Sequence, residues 1–149
     1  LKDNEFDALV IATAALDRLQ LNLENVEKID SSIMLPAATQ AIIGIEVGRD
    51  INPQKLEIIK SINHHETYFI ASVERKIIKY LEGDCNSAIA LICKKVEEST
   101  FEVNLRAFDH KSLKVEKIDM CFIGAELDQF YLELFNKIED LKIKELISN

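Results

Sequence analysis

The sequence predicts an α/β protein whose last part, residues 63–149, is an α+β domain with a three-stranded antiparallel sheet covered by helices. Two observations support this prediction. Residues 87–116 form three short runs of alternating apolar and polar side chains, separated by turn residues, which is the pattern of an antiparallel meander with one buried face. Residues 124–149 then place apolar side chains at helical spacing, which predicts a helix that covers the open face of the sheet.

The three runs define which side chains we expect in the core. Turns are predicted at residues 97–99 and 109–111, where charged and small polar residues cluster. Cys93 and Cys121 lie within strand patterns, and we expect both to be buried, since free cysteines are often core residues. The expected inward residues are Ile89, Leu91, Cys93, Phe101, Val103, Leu105, Ala107, Leu113 and Val115.

Two helices are predicted upstream of this sheet. Asn52 followed by Pro53 is a typical helix start, with an N-cap side chain and a proline at the first helical position. Asn63 and Glu66 have the spacing of a capping box for the next helix, which we expect to end at Gly83 as its C′ glycine. That second helix carries Phe69, Val73, Ile77 and Tyr80 on one face.

Residues 1–62 resemble pieces of a larger α/β structure. Residues 8–12 and 41–47 are apolar runs that predict buried strands, and residues 13–21 predict a helix. Two strands and two helices are too few to close a sheet. We therefore divide the chain into residues 1–35, residues 36–62 and the C-terminal domain 63–149, and we expect a fragment, because Leu1 rather than Met opens the sequence.

Composition and charge exclude several functional classes. The formal net charge of -8 disfavours non-specific binding to nucleic acid or to an anionic membrane, because both would repel the chain. The sequence has no apolar run of about 20 residues, and no secretory leader is recognisable. Three cysteines without a CxxC motif indicate reduced thiols and a cytoplasmic protein.

The local sequence leaves the chemistry open. Cys85 follows a predicted helix C-terminus and Asp84, and the negative charge of both disfavours a thiolate. Two interpretations remain. Cys85 is either a structural cysteine or the site of a slow attachment reaction that occurs once per molecule. Arg18 could bind a carboxylate ligand or form an ion pair. Gln40 is a polar group near a predicted strand. His64 and His65 lack the further ligands that a metal site requires, so no metal is expected.

Four short motifs in fixed order indicate the function more specifically than composition and periodicity do. They are Ala8-Leu9-Val10-Ile11-Ala12 with Ala15-Leu16-Asp17-Arg18-Leu19, Leu35-Pro36-Ala37-Ala38-Thr39-Gln40-Ala41 with Gly44-Ile45-Glu46, Asn63-His64-His65-Glu66-Thr67 with Glu74-Arg75, and Leu81-Glu82-Gly83-Asp84-Cys85. In this order and spacing the chain resembles the C-terminal half of the hydroxymethylbilane synthase (porphobilinogen deaminase) family. The resemblance runs from the first residue to about Phe108.

This resemblance implies an activity, a cofactor and three site residues. Family members condense four porphobilinogen units into hydroxymethylbilane and release ammonia at each addition. They use a dipyrromethane cofactor held by a thioether to a cysteine, which corresponds to Cys85. Arg18 matches an arginine that binds acidic groups of the cofactor or substrate, and Gln40 matches a glutamine that lines the cleft. The family's catalytic aspartate lies outside these 149 residues, so the resemblance implies no catalytic residue here and an inactive fragment.

The resemblance also implies a fold and its partners. Residues 1–62 would be remnants of two periplasmic-binding-protein-like α/β domains, and residues 63–149 would be the domain that holds the cofactor cysteine. The partners would be porphobilinogen, the growing pyrrole chain and the N-terminal half of the same protein. A small α+β ligand-binding or dimerisation module with a structural cysteine is the alternative interpretation.

Four positions depart from the family pattern. The family usually has glycine where Ala15 stands, Gly-Gln-Gly at residues 39–41, Gly-Gly-Cys at residues 83–85, and a proline near Ala88. Glycine permits positive φ angles and close approach of the backbone. We therefore expect the backbone around Gln40 and the residue before Cys85 to be the places where these substitutions have consequences.

Overall fold

The structure is a computed structural model that describes residues 6–84, 86–109 and 111–148. The chain separates into two compact units, Leu1–Met34 and Leu35–Asn149, and each is considered by itself.

In the first unit, the described residues contain one helix, α1 (Thr13–Leu19). The helix confirms the prediction for residues 13–21, although it ends earlier, at Gln20, whose φ is 52°. Residues 8–12 form no strand, so that prediction is wrong for this chain. A strand needs a neighbour to accept its backbone hydrogen bonds, and the described part of the chain supplies none here. Leu9 and Val10 consequently remain about two-thirds exposed, at 68% and 66%.

The second unit begins with an irregular segment, which has a turn at residues 38–41, and helix α2 (Pro53–Ser61). The predicted start of this helix is confirmed, because Oδ1 of Asn52 accepts hydrogen bonds from the N–H groups of Gln54 and Lys55 at 2.8 and 3.4 Å. The predicted strand at 41–47 is absent for the same reason as the strand at 8–12, since the described sheet has no strand next to it.

Helix α3 (His65–Tyr80) starts one residue later than the predicted capping box requires. His64 is the N-cap, and its Nδ1 accepts the N–H of Thr67 at 3.3 Å. Glu66 instead forms an ion pair, at 2.8 Å, with Lys95 of the first strand. The prediction of a reciprocal Asn63–Glu66 box is therefore wrong, because a strand lysine competes for the carboxylate.

The meander is confirmed as three antiparallel strands in the order β1 (Ile89–Lys95), β2 (Thr100–Phe108) and β3 (Val115–Ile123). Leu91 pairs with Leu105, and Leu105 pairs with Ile118 on the other side. This register aligns the inward side chains of all three strands on one face, which forms the core. The buried residues of that face are Leu91, Cys93, Phe101, Val103, Leu105, Ala107, Ile118 and Phe122.

The third strand has the opposite phase from the one predicted. Leu113 is 83% exposed and has a φ of 56°, so it belongs to the turn and not to the strand. Val115 also lies outside the core, and Ile118 and Phe122 point inward in its place. Cys121 is exposed for the same reason, contrary to the prediction that it is a core residue. Because side chains alternate along a strand, a shift of one residue exchanges every inward and outward position.

Three helices cover the inner face of the sheet. α3 packs on β1, α4 (Leu127–Asp140) packs on β3, and α5 (Ile143–Ile147) packs on β2. A 3-10 turn at Gly124–Glu126 precedes α4. The apolar stripe predicted for the C-terminal helix is confirmed, but the helix is interrupted at Lys142, whose φ of 53° turns the chain. After this break, α5 packs on the middle strand, β2.

Aromatic side chains connect these layers. The ring of Phe101 lies 4.8 Å from that of Phe69 on α3 and 5.5 Å from that of Phe122 on β3. Phe122 in turn stacks on Phe130 of α4, with 4.2 Å between ring centroids. The cluster therefore joins two helices and two strands through one continuous set of ring contacts, which contribute beyond the area they bury.

The outer face of the sheet is polar. Arg106 on β2 contacts both carboxylate oxygens of Asp119 on β3, at 2.6 and 3.1 Å. Nδ2 of Asn104 donates to the same carboxylate at 2.8 Å. The hydrogen bond from the Arg106 guanidinium lowers the pKa of Asp119, with a further contribution from Asn104. This pair therefore links β2 to β3 on the solvent side.

The Arg106–Asp119 pair should make stability depend on pH in the acid range. Since the pKa of Asp119 is lowered in the folded chain, its contribution is present at neutral pH and is lost as the pH falls below about 3.9, the value in unfolded chains. Asp119→Asn should lower the free energy of unfolding at pH 7 by about 0.5–1 kcal/mol, because the pair is solvent-screened.

Urea unfolding at pH 7 and pH 3 measures this effect. The difference between the variant and the parent should be smaller at pH 3 than at pH 7, because the contribution of Asp119 is lost as the pH falls through its lowered pKa. Glu98→Gln, which changes an exposed carboxylate in the β1–β2 turn, is the matched control and should leave stability unchanged at both pH values. An Asp119→Asn difference of equal size at both pH values would show that the carboxylate charge is not responsible.

Candidate functional site

The three predicted site residues occupy different parts of the chain. Arg18 lies in the last turn of α1 and is exposed, within the first unit. Gln40 lies in the second unit, in a turn at residues 38–41 before α2, and is also exposed. Cys85 lies outside the described residues. The structure therefore describes the segments that enter and leave the position of Cys85, and it describes Arg18 and Gln40 each in its own unit.

The segment that leads to Cys85 leaves α3 through a tight C-terminal motif. The N–H of Gly83 donates to the carbonyl of Ile78 at 3.1 Å, and the N–H of Glu82 donates to that of Lys79 at 3.2 Å. This is the hydrogen-bond pattern of a Schellman motif. Glu82, with a φ of 56°, occupies the left-handed C′ position, so the prediction that Gly83 is the C′ residue is wrong by one position.

Gly83 has a different reason to be glycine. A Cβ atom at this position would lie 2.9 Å from Cδ1 of Ile89, the first residue of β1. A side chain at this position would therefore require the end of the Ile89 side chain to shift. Leu81, at 2% exposure, fixes the other side of this junction in the core.

Asp84 organises the turn around the position of Cys85. Its Oδ1 accepts hydrogen bonds from the N–H of Asn86 at 2.8 Å, and from the N–H and hydroxyl of Ser87 at 3.0 and 3.1 Å. The bond from the Asn86 N–H is the main cause that lowers the pKa of Asp84, followed by the bond from the Ser87 hydroxyl. The lowered pKa keeps the Asp84 carboxylate ionised at neutral pH, and its effect on the thiol of Cys85 stays a prediction.

The other two cysteines differ in their access to solvent. Cys93 is 3% exposed on the inner face of β1, and its burial, together with the charge of Glu74, raises the pKa of its thiol to about 12. The prediction that Cys93 is a core residue is confirmed. Cys121 is exposed on the outer face of β3. Of the two described thiols, Cys121 is thus the accessible one, and Cys93 is buried with a raised thiol pKa.

Gln40 lies between two residues with unusual backbone angles. Thr39 has a φ of 57° and Ala41 has a φ of 64°, both in the left-handed region. These are the positions where the resemblance implies glycines. The chain therefore adopts the conformation that favours glycine without having glycine, at a cost of roughly 1–2 kcal/mol for each residue.

Glu74 is a residue whose position the sequence did not predict. Its carboxylate is buried and accepts backbone N–H groups from Thr39 and Cys93. Burial is the main cause that raises the pKa of Glu74. A signal was present in the sequence, since residues 73 and 77 belong to the apolar stripe and residue 74 lies beside them on the same side of the helix.

An apolar groove lies between residues 42–47 and helices α2 and α3. Its walls include Ile43, which is 83% exposed, and Tyr68, which is 66% exposed. His64 and His65 also line it. Within residues 6–84, 86–109 and 111–148, however, no three His, Cys, Asp or Glu side chains are grouped as a metal site would require. Across the same residues, every helix is too short or too polar to cross a bilayer.

Replacement of Thr39 by glycine should stabilise the chain. Thr39→Gly should raise the free energy of unfolding by about 0.5–1 kcal/mol, because it removes strain of roughly 1–2 kcal/mol and offsets only part of this through the extra freedom of the unfolded chain. Thr39→Ala retains a Cβ and should give no comparable gain. Denaturant unfolding of the three proteins measures the difference, and equal gains for glycine and alanine would contradict the backbone explanation.

The comparisons with known proteins agree with the sequence motifs. The profile of the family described as "Porphobilinogen deaminase, dipyromethane cofactor binding domain" matches residues 1–55. This range contains Arg18 and Gln40 and ends before Cys85.

Relatives with the name porphobilinogen deaminase match more of the chain. The protein from Sulfurovum sp. is 31% identical over 147 residues, which cover 89% of this chain and 45% of the relative. The protein from Lawsonia intracellularis is 39% identical over 98 residues, or 64% of this chain and 31% of the relative. That from Campylobacter jejuni is 37% identical over 94 residues, or 61% and 30%. The chain thus spans less than half the length of these relatives, and it belongs to the porphobilinogen deaminase family.

Proposed function

We propose that this chain is part of an enzyme that condenses four porphobilinogen units into hydroxymethylbilane and releases ammonia at each step. In this proposal a dipyrromethane cofactor is held through a thioether to Cys85, and Arg18 and Gln40 contact the cofactor or the substrate. The observation that supports it most strongly is the sequence relation to the porphobilinogen deaminases over most of the chain.

The chemistry of attachment fits a cysteine in this setting. Loss of ammonia from porphobilinogen leaves an electrophilic methylene, to which the sulfur adds while the thiol gives up its proton. The attached pyrroles supply the position at which the chain of rings begins. Since attachment occurs once for each protein molecule, it does not need the lowered thiol pKa of a repeatedly used nucleophile. The ionised Asp84 next to Cys85 is therefore compatible with this role.

The charges indicate where the anionic rings would bind. Each pyrrole has acetate and propionate groups, and a guanidinium is the side chain best suited to bind a carboxylate through two hydrogen bonds. Arg18 is exposed and is one of four arginines in the chain. With a net charge of -8, this chain alone would repel the growing product, so most cationic groups of the site would come from the rest of the enzyme.

The exposed apolar surface supports a further part of the protein as partner. Leu9, Val10 and Ile43 are more than half exposed, as are several other large apolar residues at positions 6–62. Exposed large apolar side chains, taken within each unit separately, are candidates for interaction surfaces. We infer that the N-terminal half of the same enzyme covers them and supplies the catalytic aspartate. The 149 residues alone should then be inactive.

The free thiols of Cys93 and Cys121 support a separate inference, a cytoplasmic location for the protein.

The alternative of a small ligand-binding or dimerisation module with a structural cysteine has less support. The meander and its covering helices fit either interpretation, but the sequence relation favours the enzyme. The two interpretations differ in whether Cys85 carries a covalent pyrrole adduct.

Intact-mass measurement of the purified chain tests the proposed attachment. The parent protein, loaded with porphobilinogen in the presence of the complementary N-terminal half, should gain the mass of two linked pyrroles. Cys85→Ser should gain nothing. The adduct should also be absent when porphobilinogen is omitted from an unloaded preparation.

Cys121→Ser is the matched control, because it removes the exposed thiol of the described residues and should leave the adduct unchanged. An adduct of the same mass on Cys85→Ser would disprove attachment at Cys85. Turnover of porphobilinogen by residues 1–149 alone would disprove the inference that the aspartate lies elsewhere.

A further inference from the structure

Glu74 is the buried charged residue of the described core. It lies on α3, is 4% exposed, and is flanked on the helix by the fully buried Val73. The ion pairs formed among residues 6–84, 86–109 and 111–148 do not include it. A buried carboxylate is costly unless hydrogen-bond donors satisfy both of its oxygens. The groups that satisfy it therefore indicate its role.

Each oxygen of Glu74 binds a different segment of the chain. Oε2 accepts the N–H of Thr39 at 2.5 Å, and Oε1 accepts the N–H of Cys93 at 2.6 Å. The two donors are 54 positions apart in sequence, and each bond is short, as expected for a charged acceptor. One side chain thus joins α3, the segment before Gln40 and the first strand of the sheet.

At Cys93, Glu74 binds an N–H group on the edge of β1 that pairs with no other strand. β1 pairs with β2 on one side only, so alternate N–H groups of β1 point away from the ladder. The N–H of Leu91 is satisfied by the carbonyl of Pro36 at 2.9 Å. The next outward N–H, that of Cys93, is satisfied by Glu74. The carboxylate consequently takes the place that a carbonyl of another strand would occupy.

The other end of the link supports a strained turn. Thr39 and Ala41 both have positive φ angles, and Gln40 lies between them. Such a conformation persists in residues with a Cβ only when surrounding contacts hold it. The N–H of Thr39 is held by Glu74, and the carbonyl of Pro36 is held by Leu91. The turn is thus attached at two points to the same edge of β1.

We propose that Glu74 is a positioning residue that fixes the Gln40 turn against the edge of β1. α3 ends just before Cys85, and β1 begins just after it, at Ile89. A side chain that binds the turn to both elements sets the distance of Gln40 from the framework that holds the cysteine. The connection to the site rests on the proposed function, because the resemblance assigns Gln40 and Cys85 to it. The link between Glu74 and the turn depends on the structure alone.

Glutamine cannot replace this carboxylate. Its amide has one oxygen that accepts and one NH₂ group that only donates, so Glu74→Gln retains at most one of the two bonds. The NH₂ group would also face a backbone N–H, and two donors repel. Glu66→Gln is the matched control, because Glu66 lies on the same helix and its ion pair with Lys95 is at the surface.

Amide hydrogen exchange by NMR tests the proposal on the 149-residue chain. In Glu74→Gln the amides of Thr39, Gln40 and Ile42, which are the hydrogen-bonded amides of the turn, should exchange roughly tenfold faster, the factor expected when a hydrogen bond to a charged group is lost. The amides of Val103 and Leu105, in the central strand, should keep their rates. In Glu66→Gln the three turn amides should exchange as in the parent. Unchanged exchange of these amides in Glu74→Gln would overturn the proposal.

If Glu74→Gln does not fold, a pH titration of the parent chain followed by NMR tests the proposal instead. The amide proton shifts of Thr39 and Cys93 should both change with one common midpoint, since both N–H groups bind one carboxylate. Different midpoints, or a change at Cys93 alone, would overturn the link. Neither measurement involves a pyrrole adduct, so a failure here is distinguishable from a failure of the proposed attachment at Cys85.

Discussion

The burial of one face of a three-stranded sheet under α3, α4 and α5 is the interaction on which the C-terminal part of the chain depends. Three strands are near the minimum for independent stability, and they need a covered face to reach it. The inner residues of the middle strand, including Val103 and Leu105, are fully buried. Three features accompany this packing: the break at Lys142, the aromatic contacts of Phe122, and the hydrogen bond from Glu74 to the edge of β1.

The features that local sequence determines were predictable. The Asn52 cap, the phase of β1 and β2 and the apolar stripe of α4 each follow from a few neighbouring residues. The features that depend on distant partners were not. The runs at 8–12 and 41–47 have the composition of strands, but a strand exists only where another strand pairs with it. The phase of β3 depended on Leu113, whose apolar side chain belongs to a turn.

The candidate site shows the same division. Arg18, Gln40 and Cys85 were identified by resemblance, because the chemistry of each residue alone allowed a structural role. Glu74 was missed, since a carboxylate on an amphipathic helix usually faces solvent. Its neighbours at positions 73 and 77 could have indicated the buried side. Its partners could not be predicted, because they are backbone groups of two segments that only the fold brings together.

The tight C-terminal motif of α3 has a mechanical consequence for the proposed enzyme. The chain leaves the core at Leu81 and re-enters a hydrogen-bonded strand at Ile89, so the segment between them is tethered at both ends. In the proposed enzyme, the point of attachment would therefore lie on a short segment between two fixed ends. Elongation by four rings would then require the surrounding parts of the enzyme to move past a nearly stationary point of attachment.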